Sequence, residues 1–256
     1  MSELFSLKGK KGLIVGIANK DSIAYGCAKH MRDAGAELAI TYLNEKSEKY
    51  VKPLADDVDA SIFMPCNVQA EGELEAVFKA IEEKWGKLDF LVHSIAFASM
   101  DDLHGRLVDC SLDGFQLAMD VSCHSLMRMT KLAEPLMKDG GSIISMSYLG
   151  SERAVDNYAA MGPVKAALES STRYIAYELN SKGIRVNCVS PGPIMTRAAS
   201  GIKDFDKLMA SVTDRIPNYN IGPDDVGAVS TFLVTDAAKS LTGYVYYVDD
   251  GYSTLG

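Results

Sequence analysis

A surplus of positive charge is the first thing this chain lacks: 26 lysines and arginines face 34 aspartates and glutamates, a formal charge of −8. General nucleic-acid binding needs clustered cations to displace phosphate counterions, so that class is excluded as the main role. Lys203, Lys207 and Arg197 stand near one another but read as a solvated face. Cysteine is scarce too: Cys27, Cys66, Cys110, Cys123 and Cys188 form an odd set without Cys-x-x-Cys spacing. They read as buried thiols in a reducing compartment. His30, His93, His104 and His124 show no ligand spacing, so no metal is expected. Met1 to Lys11 has no basic start leading into an apolar run, and no apolar segment reaches bilayer length. No secretory leader and no membrane span are expected, and a cytoplasmic location is.

What is present is an alternation. Runs rich in Val and Ile at Gly12 to Ala18, Glu37 to Tyr42, Ser61 to Cys66, Leu88 to Ser94, Ser142 to Ser147, Arg185 to Ser190 and Tyr244 to Val248 read as strands. Helical patterns separate them at Ile23 to Ala34, Glu45 to Asp56, Glu71 to Trp85, Leu112 to Met137, Tyr158 to Ser181 and Asp225 to Thr235. The order predicts an α/β fold. It is a single-domain, Rossmann-like, doubly wound parallel sheet of about seven strands, spanning residues 1–256. The irregular stretch Gly192 to Asn220, with two short helical patterns, follows the sixth strand and is read as a substrate lid.

In such a sheet the ligand lies beyond the carboxyl ends of the strands. The loop Gly16 to Gly26 is not Gly-x-Gly-x-x-Gly, yet Gly16 and the helix start at Ser22 and Ile23 let backbone N–H groups approach a pyrophosphate. The Ser22 hydroxyl adds a donor. Leu43, at the end of the second strand, cannot receive ribose hydroxyls as an acidic residue would. No arginine stands there for a 2′-phosphate, although Lys46 and Lys49 are close. The balance is towards NADH, with NADPH left open.

Tyr148, Tyr158 and Lys165 carry the chemistry. On a helix, Tyr158 and Lys165 would lie two turns apart on nearly one face, with about 10.5 Å of rise between them. A dinucleotide reductase needs a phenol for the substrate oxygen and an ammonium for the nicotinamide ribose. The commoner spacing is Tyr-x-x-x-Lys, but the residue four before Lys165 is Met161. A more distant phenol suits a conjugated enoyl thioester, in which hydride enters at the β-carbon while charge develops on the carbonyl oxygen. Two other readings stay open: a carbonyl reductase or hydroxyacyl dehydrogenase of the same fold, and a non-catalytic dinucleotide sensor.

Several segments together resemble the enoyl-acyl-carrier-protein reductases of bacterial type, a divergent branch of the short-chain dehydrogenase/reductase family, over nearly the whole chain. They are Gly16-x5-Ser22-Ile23-Ala24-Tyr25-Gly26, His93-Ser94-Ile95-Ala96-Phe97-Ala98, Ser147-Tyr148-Leu149-Gly150, Tyr158-x6-Lys165-Ala166-Ala167-Leu168-Glu169, Gly192-Pro193-Ile194 and Ala198-Ala199-Ser200-Gly201-Ile202. The resemblance implies NADH-dependent reduction of trans-2-enoyl groups on acyl carrier protein, the last step of the fatty-acid elongation cycle, by a homotetramer. It implies that Tyr158 hydrogen-bonds the thioester carbonyl, Lys165 holds the nicotinamide ribose and Tyr148 helps place the acyl group. Gly16, Ser22 and Ile23 would face the pyrophosphate, and Asn67 and Val68 the adenine. Ile95, Ile194, Met195, Thr196, Arg197 and Ala198 would border the nicotinamide, and Ala98 the acyl chain. Four positions depart from the family pattern. Leu43 stands where NADH-using members carry a polar residue. Asn67 replaces a common Asp, and Arg197 a smaller or apolar residue. Pro163, between Tyr158 and Lys165, should loosen its turn unless it lies in the first turn of the helix.

Overall fold

The computed structural model describes residues 3–255; the reading at Met1 and Ser2 lies outside the described residues. Seven strands run β1 Lys11–Val15, β2 Glu37–Tyr42, β3 Ile62–Pro65, β4 Phe90–His93, β5 Gly141–Met146, β6 Ile184–Pro191 and β7 Val245–Val248. They form one sheet in the order β3-β2-β1-β4-β5-β6-β7, every neighbouring pair parallel. The chain winds outward from β1 to β3, then returns to place β4 on the other side of β1. That reversal opens the crevice where ligands of doubly wound sheets bind.

Alternation along each strand divides the core. Leu13, Val15, Leu91, Ile143 and Val186 face one layer, built on α3 Glu73–Trp85, α6 Ser125–Ala133 and α7 Met161–Leu179. Ile14, Ile40, Phe90, Val92, Ile144 and Val189 face the other, built on α1 Ile23–Asp33, α2 Glu45–Asp57 and α9 Pro223–Val234. Burial on both faces is why these strands read as continuous apolar runs. Each large side chain so buried contributes roughly 1.5 to 3 kcal/mol, which makes the frame stiff enough to hold loops in register.

Three differences from the sequence reading have physical causes. The helix expected over Leu112 to Met137 divides into α5 Leu112–Met119, a π-turn Asp120–His124, α6, and a 3-10 turn Glu134–Leu136. The extra residue of a π-turn re-aims side chains, and here it buries Ser122 and Cys123. The helix expected from Tyr158 starts at Met161, so Tyr158 lies in the preceding turn and not on the helix. Pro163 then falls in the first turn, where a missing N–H costs little. A short helix not read from the sequence, α4 Met100–His104, is capped by Ser99, whose hydroxyl accepts from the Asp102 amide. Within the Gly192 to Asn220 stretch the two helical patterns become a 3-10 turn, Ala199–Gly201, and α8 Phe205–Arg215. Among the described residues no helix is long and apolar enough to cross a membrane, and no group of His, Cys, Asp or Glu could hold a metal ion.

Candidate active site

The carboxyl ends of β1, β4, β5 and β6 bring the principal candidates to one edge of the sheet. Tyr148 follows β5 directly, and Tyr158 sits in the turn that precedes α7. Their rings meet edge to face, centroids 5.0 Å apart at 69°. This is a favoured aromatic geometry. Gly150 makes room for it, because a Cβ there would lie 2.6 Å from Cδ1 of Tyr158. The Tyr148 hydroxyl is buried without a hydrogen-bond partner. Burial raises both phenols well above the ordinary tyrosine range, so each keeps its proton and acts as a donor.

Lys165 lies in the second turn of α7, with its Nζ donating to the Met146 carbonyl at the end of β5 at 2.6 Å. It is 5% exposed. Burial lowers its pKa to about 8, against the opposing pull of Cys188, Cys123 and Glu169. Met161, four residues earlier, is buried with its Sδ 3.9 Å from the Ser122 hydroxyl. No phenol can occupy that place. Ser122 itself accepts from the Phe97 amide at 2.9 Å, which fastens the loop that carries Ile95 and Ala98, both half-buried against the core. Beneath this loop His93 spans two hydroxyls, Nδ1 to Ser145 and Nε2 to Ser125, each at 2.8 Å. Burial, then the nearby Lys165 charge, pushes this imidazole down to about 3, so it is neutral.

At the end of β1, Gly16 adopts φ +119°, and a Cβ would meet the Ser94 carbonyl oxygen at 2.0 Å. Only glycine allows this approach of β1 to β4. The Ser22 hydroxyl accepts from the Ala18 and Asn19 amides at 3.0 Å each. It thus shapes the loop from within, leaving the start of α1 at Ile23 to present backbone N–H groups. Leu43 is 56% exposed beyond β2. Asn67 uses its Oδ1 to accept from the Gln69 amide at 3.0 Å, and buried Val68 offers its carbonyl to Arg128 at 2.6 Å. After β6, Ile194 is buried, Met195, Arg197 and Ala198 are exposed, and Thr196 Oγ1 accepts from the Ala199 amide at 3.1 Å.

The sequence reading missed Ser122 and Tyr219, and it gave Glu169 no role beyond its place in the segment after Lys165. Tyr219 donates to the Pro193 carbonyl at 2.9 Å, tying the far end of the stretch after β6 to its start. Asn157 Nδ2 donates to the Lys203 carbonyl at 3.0 Å, and His104 Nε2 lies 2.6 Å from the Gly201 carbonyl oxygen, so the same stretch is fastened to the residue before Tyr158 and to α4. Serine and tyrosine carry no distinctive spacing; the only signal available was their proximity to strand ends.

A parallel sheet of this order, with a glycine turn at its reversal point and a tyrosine-lysine pair at its carboxyl edge, defines a dinucleotide-dependent reductase of Rossmann type. The family model described as "Enoyl-(Acyl carrier protein) reductase" matches residues 16–253. The chain belongs to that family. It is 44% identical over 251 residues to "Enoyl-[acyl-carrier-protein] reductase [NADH] 1" of Rhizobium meliloti (strain 1021), covering 98% of this chain and 92% of the relative. It is 45% identical over 257 residues to the NADH enoyl-acyl-carrier-protein reductase of Nostoc sp. (strain PCC 7120 / SAG 25.82 / UTEX 2576), covering 99% of this chain and 100% of that one. Among solved structures, the Anaplasma phagocytophilum reductase in complex with NAD has TM-score 0.91 at 43% identity, covering 98% of this chain and 96% of that one. The Bacillus cereus reductase with NADP+ and indole naphthyridinone has TM-score 0.95 at 42% identity, covering 99% of each.

Proposed function

We propose that this protein reduces the carbon-carbon double bond of trans-2-enoyl groups carried on acyl carrier protein, with NADH, as the final step of the fatty-acid elongation cycle. The observation that carries the reading is the Tyr148–Tyr158 pair at the end of β5 and the start of α7, the same edge where buried Lys165 is anchored to Met146, with Met161 filling the place a carbonyl reductase gives to its phenol. The residues fit a dinucleotide: the Gly16 turn would receive the pyrophosphate, and Lys165 the nicotinamide ribose. Ser22 and Ile23 set the start of α1 for that purpose, Asn67, Val68 and Leu43 flank the adenosine, and Ile95 with Ile194 to Ala198 border the nicotinamide. The partnerless Tyr148 hydroxyl is an orphaned buried donor that a substrate oxygen would satisfy.

When bound, NADH supplies the hydride that adds to the β-carbon of the enoyl group. The chain's own residues handle the charge that results. The Tyr158 phenol donates to the thioester carbonyl oxygen and stabilises the enolate as it forms. Tyr148 packs edge-on against that phenol and turns it, while Ala98 borders the acyl chain. The Lys165 ammonium, anchored by the Met146 carbonyl, keeps the local field positive, which favours the developing oxyanion. A proton from solvent water then adds to the α-carbon and completes the saturated thioester.

NADH is favoured over NADPH because no arginine stands beside exposed Leu43 to take a 2′-phosphate, and Glu45 and Glu48 offset Lys46 and Lys49 at the start of α2. The exposed Tyr174 and Tyr177 on α7 and Met127 on α6 suit burial in a homotetramer. A cytoplasmic location accords with five free cysteines. The test mixes purified protein with NADH or NADPH and a trans-2-enoyl thioester, with a 3-oxoacyl thioester in parallel. Absorbance loss with the enoyl substrate alone, and NADH faster by about tenfold, equivalent to about 1.4 kcal/mol, is the expected result. Equal turnover of the 3-oxoacyl thioester would sink the reading. Light scattering checks the tetramer.

A further inference from the structure

A buried carboxylate stands behind the site. Glu169 is 5% exposed, on α7 one turn beyond Lys165. An ionised group so placed is costly unless hydrogen bonds hold it. Its Oε1 accepts from the hydroxyls of Ser147 and Ser151, the second at 2.7 Å. Those serines bracket Tyr148: Ser147 is tied to β6 through its amide and the Val189 carbonyl at 2.8 Å, and the Ser151 amide donates to the Tyr148 carbonyl at 2.9 Å. One carboxylate oxygen therefore grips the turn that carries Tyr148 at both ends.

The same group faces Lys165 from along the helix, since residues four apart share a face. The two do not bond directly, because Lys165 Nζ donates to Met146 while the carboxylate takes the two hydroxyls. The other titratable groups around the ammonium are Cys123 on the π-turn, Cys188 on β6 and His93 on β4. Burial pushes both thiols up, Cys188 to about 12, and holds His93 neutral. The Glu169 carboxylate, one turn along α7, acts on Lys165 in the direction that favours the ammonium.

We propose that Glu169 is a positioning residue that serves both halves of the site, holding the Tyr148 turn through two serine hydroxyls and supporting the Lys165 ammonium through its charge. The inference rests on the reductase reading above for what Tyr148 and Lys165 do, and its test separates the two. Glu169→Gln keeps an acceptor oxygen in nearly the same shape and removes the charge. Ser151→Ala keeps the charge and removes one tether. NADH affinity, followed by fluorescence titration against pH, needs no turnover and reads the lysine; KM for the enoyl thioester reads the Tyr148 turn.

In Glu169→Gln the pH above which NADH affinity falls is expected to move down by about one unit. In Ser151→Ala that limb should stay in place while the enoyl KM rises several-fold. An unmoved limb in Glu169→Gln overturns the electrostatic half, and a wild-type enoyl KM in Ser151→Ala overturns the tether. If Glu169→Gln does not fold, the Ser147→Ala, Ser151→Ala double variant decides, and an unchanged KM there overturns the proposal. Wild-type protein that binds NADH with the expected limb yet leaves enoyl thioesters intact would sink the reaction reading instead, and the limb would still judge Glu169.

Discussion

At the scale of single residues, the site works by placing polar groups where water cannot reach them. Tyr158 keeps its proton because burial raises its pKa, which leaves its O–H available to a substrate oxygen. Tyr158→Phe should lower kcat about 100-fold while NADH affinity stays at the wild-type value, the loss typical of one donor to a developing oxyanion. Steady-state kinetics with a separate NADH titration check this; a kcat within twofold of wild type removes Tyr158 from the chemistry. Lys165 has the opposite problem, a charge that burial disfavours, with its pKa lowered to about 8. The ammonium is present below that value and lost above it. We expect kcat/KM for NADH to be level on the acid side and to fall about tenfold per unit as pH rises beyond about 8, since that ratio reports the free enzyme. A profile still level at about pH 10 would mean that the charge of Lys165 is not needed.

At the scale of elements, the loops that matter are set by where each helix begins. α7 starts at Met161 because the Gly162 amide reaches back to the Tyr158 carbonyl at 3.0 Å and the Val164 amide to Ala160, with Pro163 between them lacking an N–H. Pro163→Ala is therefore expected to lower stability slightly, by about 0.4 to 1 kcal/mol, through a freer unfolded chain. Were the helix to run from Tyr158, the proline would sit in its interior and the same change would stabilise by about 3 kcal/mol. Urea unfolding of the two proteins distinguishes the sign. The strand runs were legible in the sequence because burial on both sheet faces acts locally, and of the Tyr148, Tyr158 and Lys165 set read there the structure brings the two rings into contact and anchors the lysine at the end of β5. The Leu112 to Met137 pattern could not show its π-turn, since what re-aims Ser122 is the Phe97 amide, which the chain brings up from 25 residues earlier. The role of Ser22 was half visible: a hydroxyl at the helix start was readable, but its turning inward to Ala18 and Asn19 was not. Glu169 stood in the sequence only as the end of the segment after Lys165, and its bonds to Ser147 and Ser151 exist once the end of β5 is folded against it.

At the scale of the whole molecule, the crevice and the core share one buried histidine. His93 ends β4, contacts Ser145 on β5 and Ser125 on α6, and lies under the loop from Ile95 to Ala98. Its pKa falls from 6.5 to about 3, chiefly through burial. In the unfolded chain the same imidazole takes up a proton near its ordinary value. Between about 6.5 and about 3 the unfolded state thus binds more protons than the native state, so stability rises with pH through that window and is lost as pH falls. Going from pH 6.5 to about pH 5, this one group should remove about 1.6 kcal/mol. His93→Gln carries no titrating ring and should lose that much less over the same interval, although it will be weaker at neutral pH for want of good geometry to both serines. Urea midpoints for both proteins at the two pH values give the difference directly. Parallel slopes would show that His93 titrates normally in the native state, which would require water or a rearranged β4 end beneath the site.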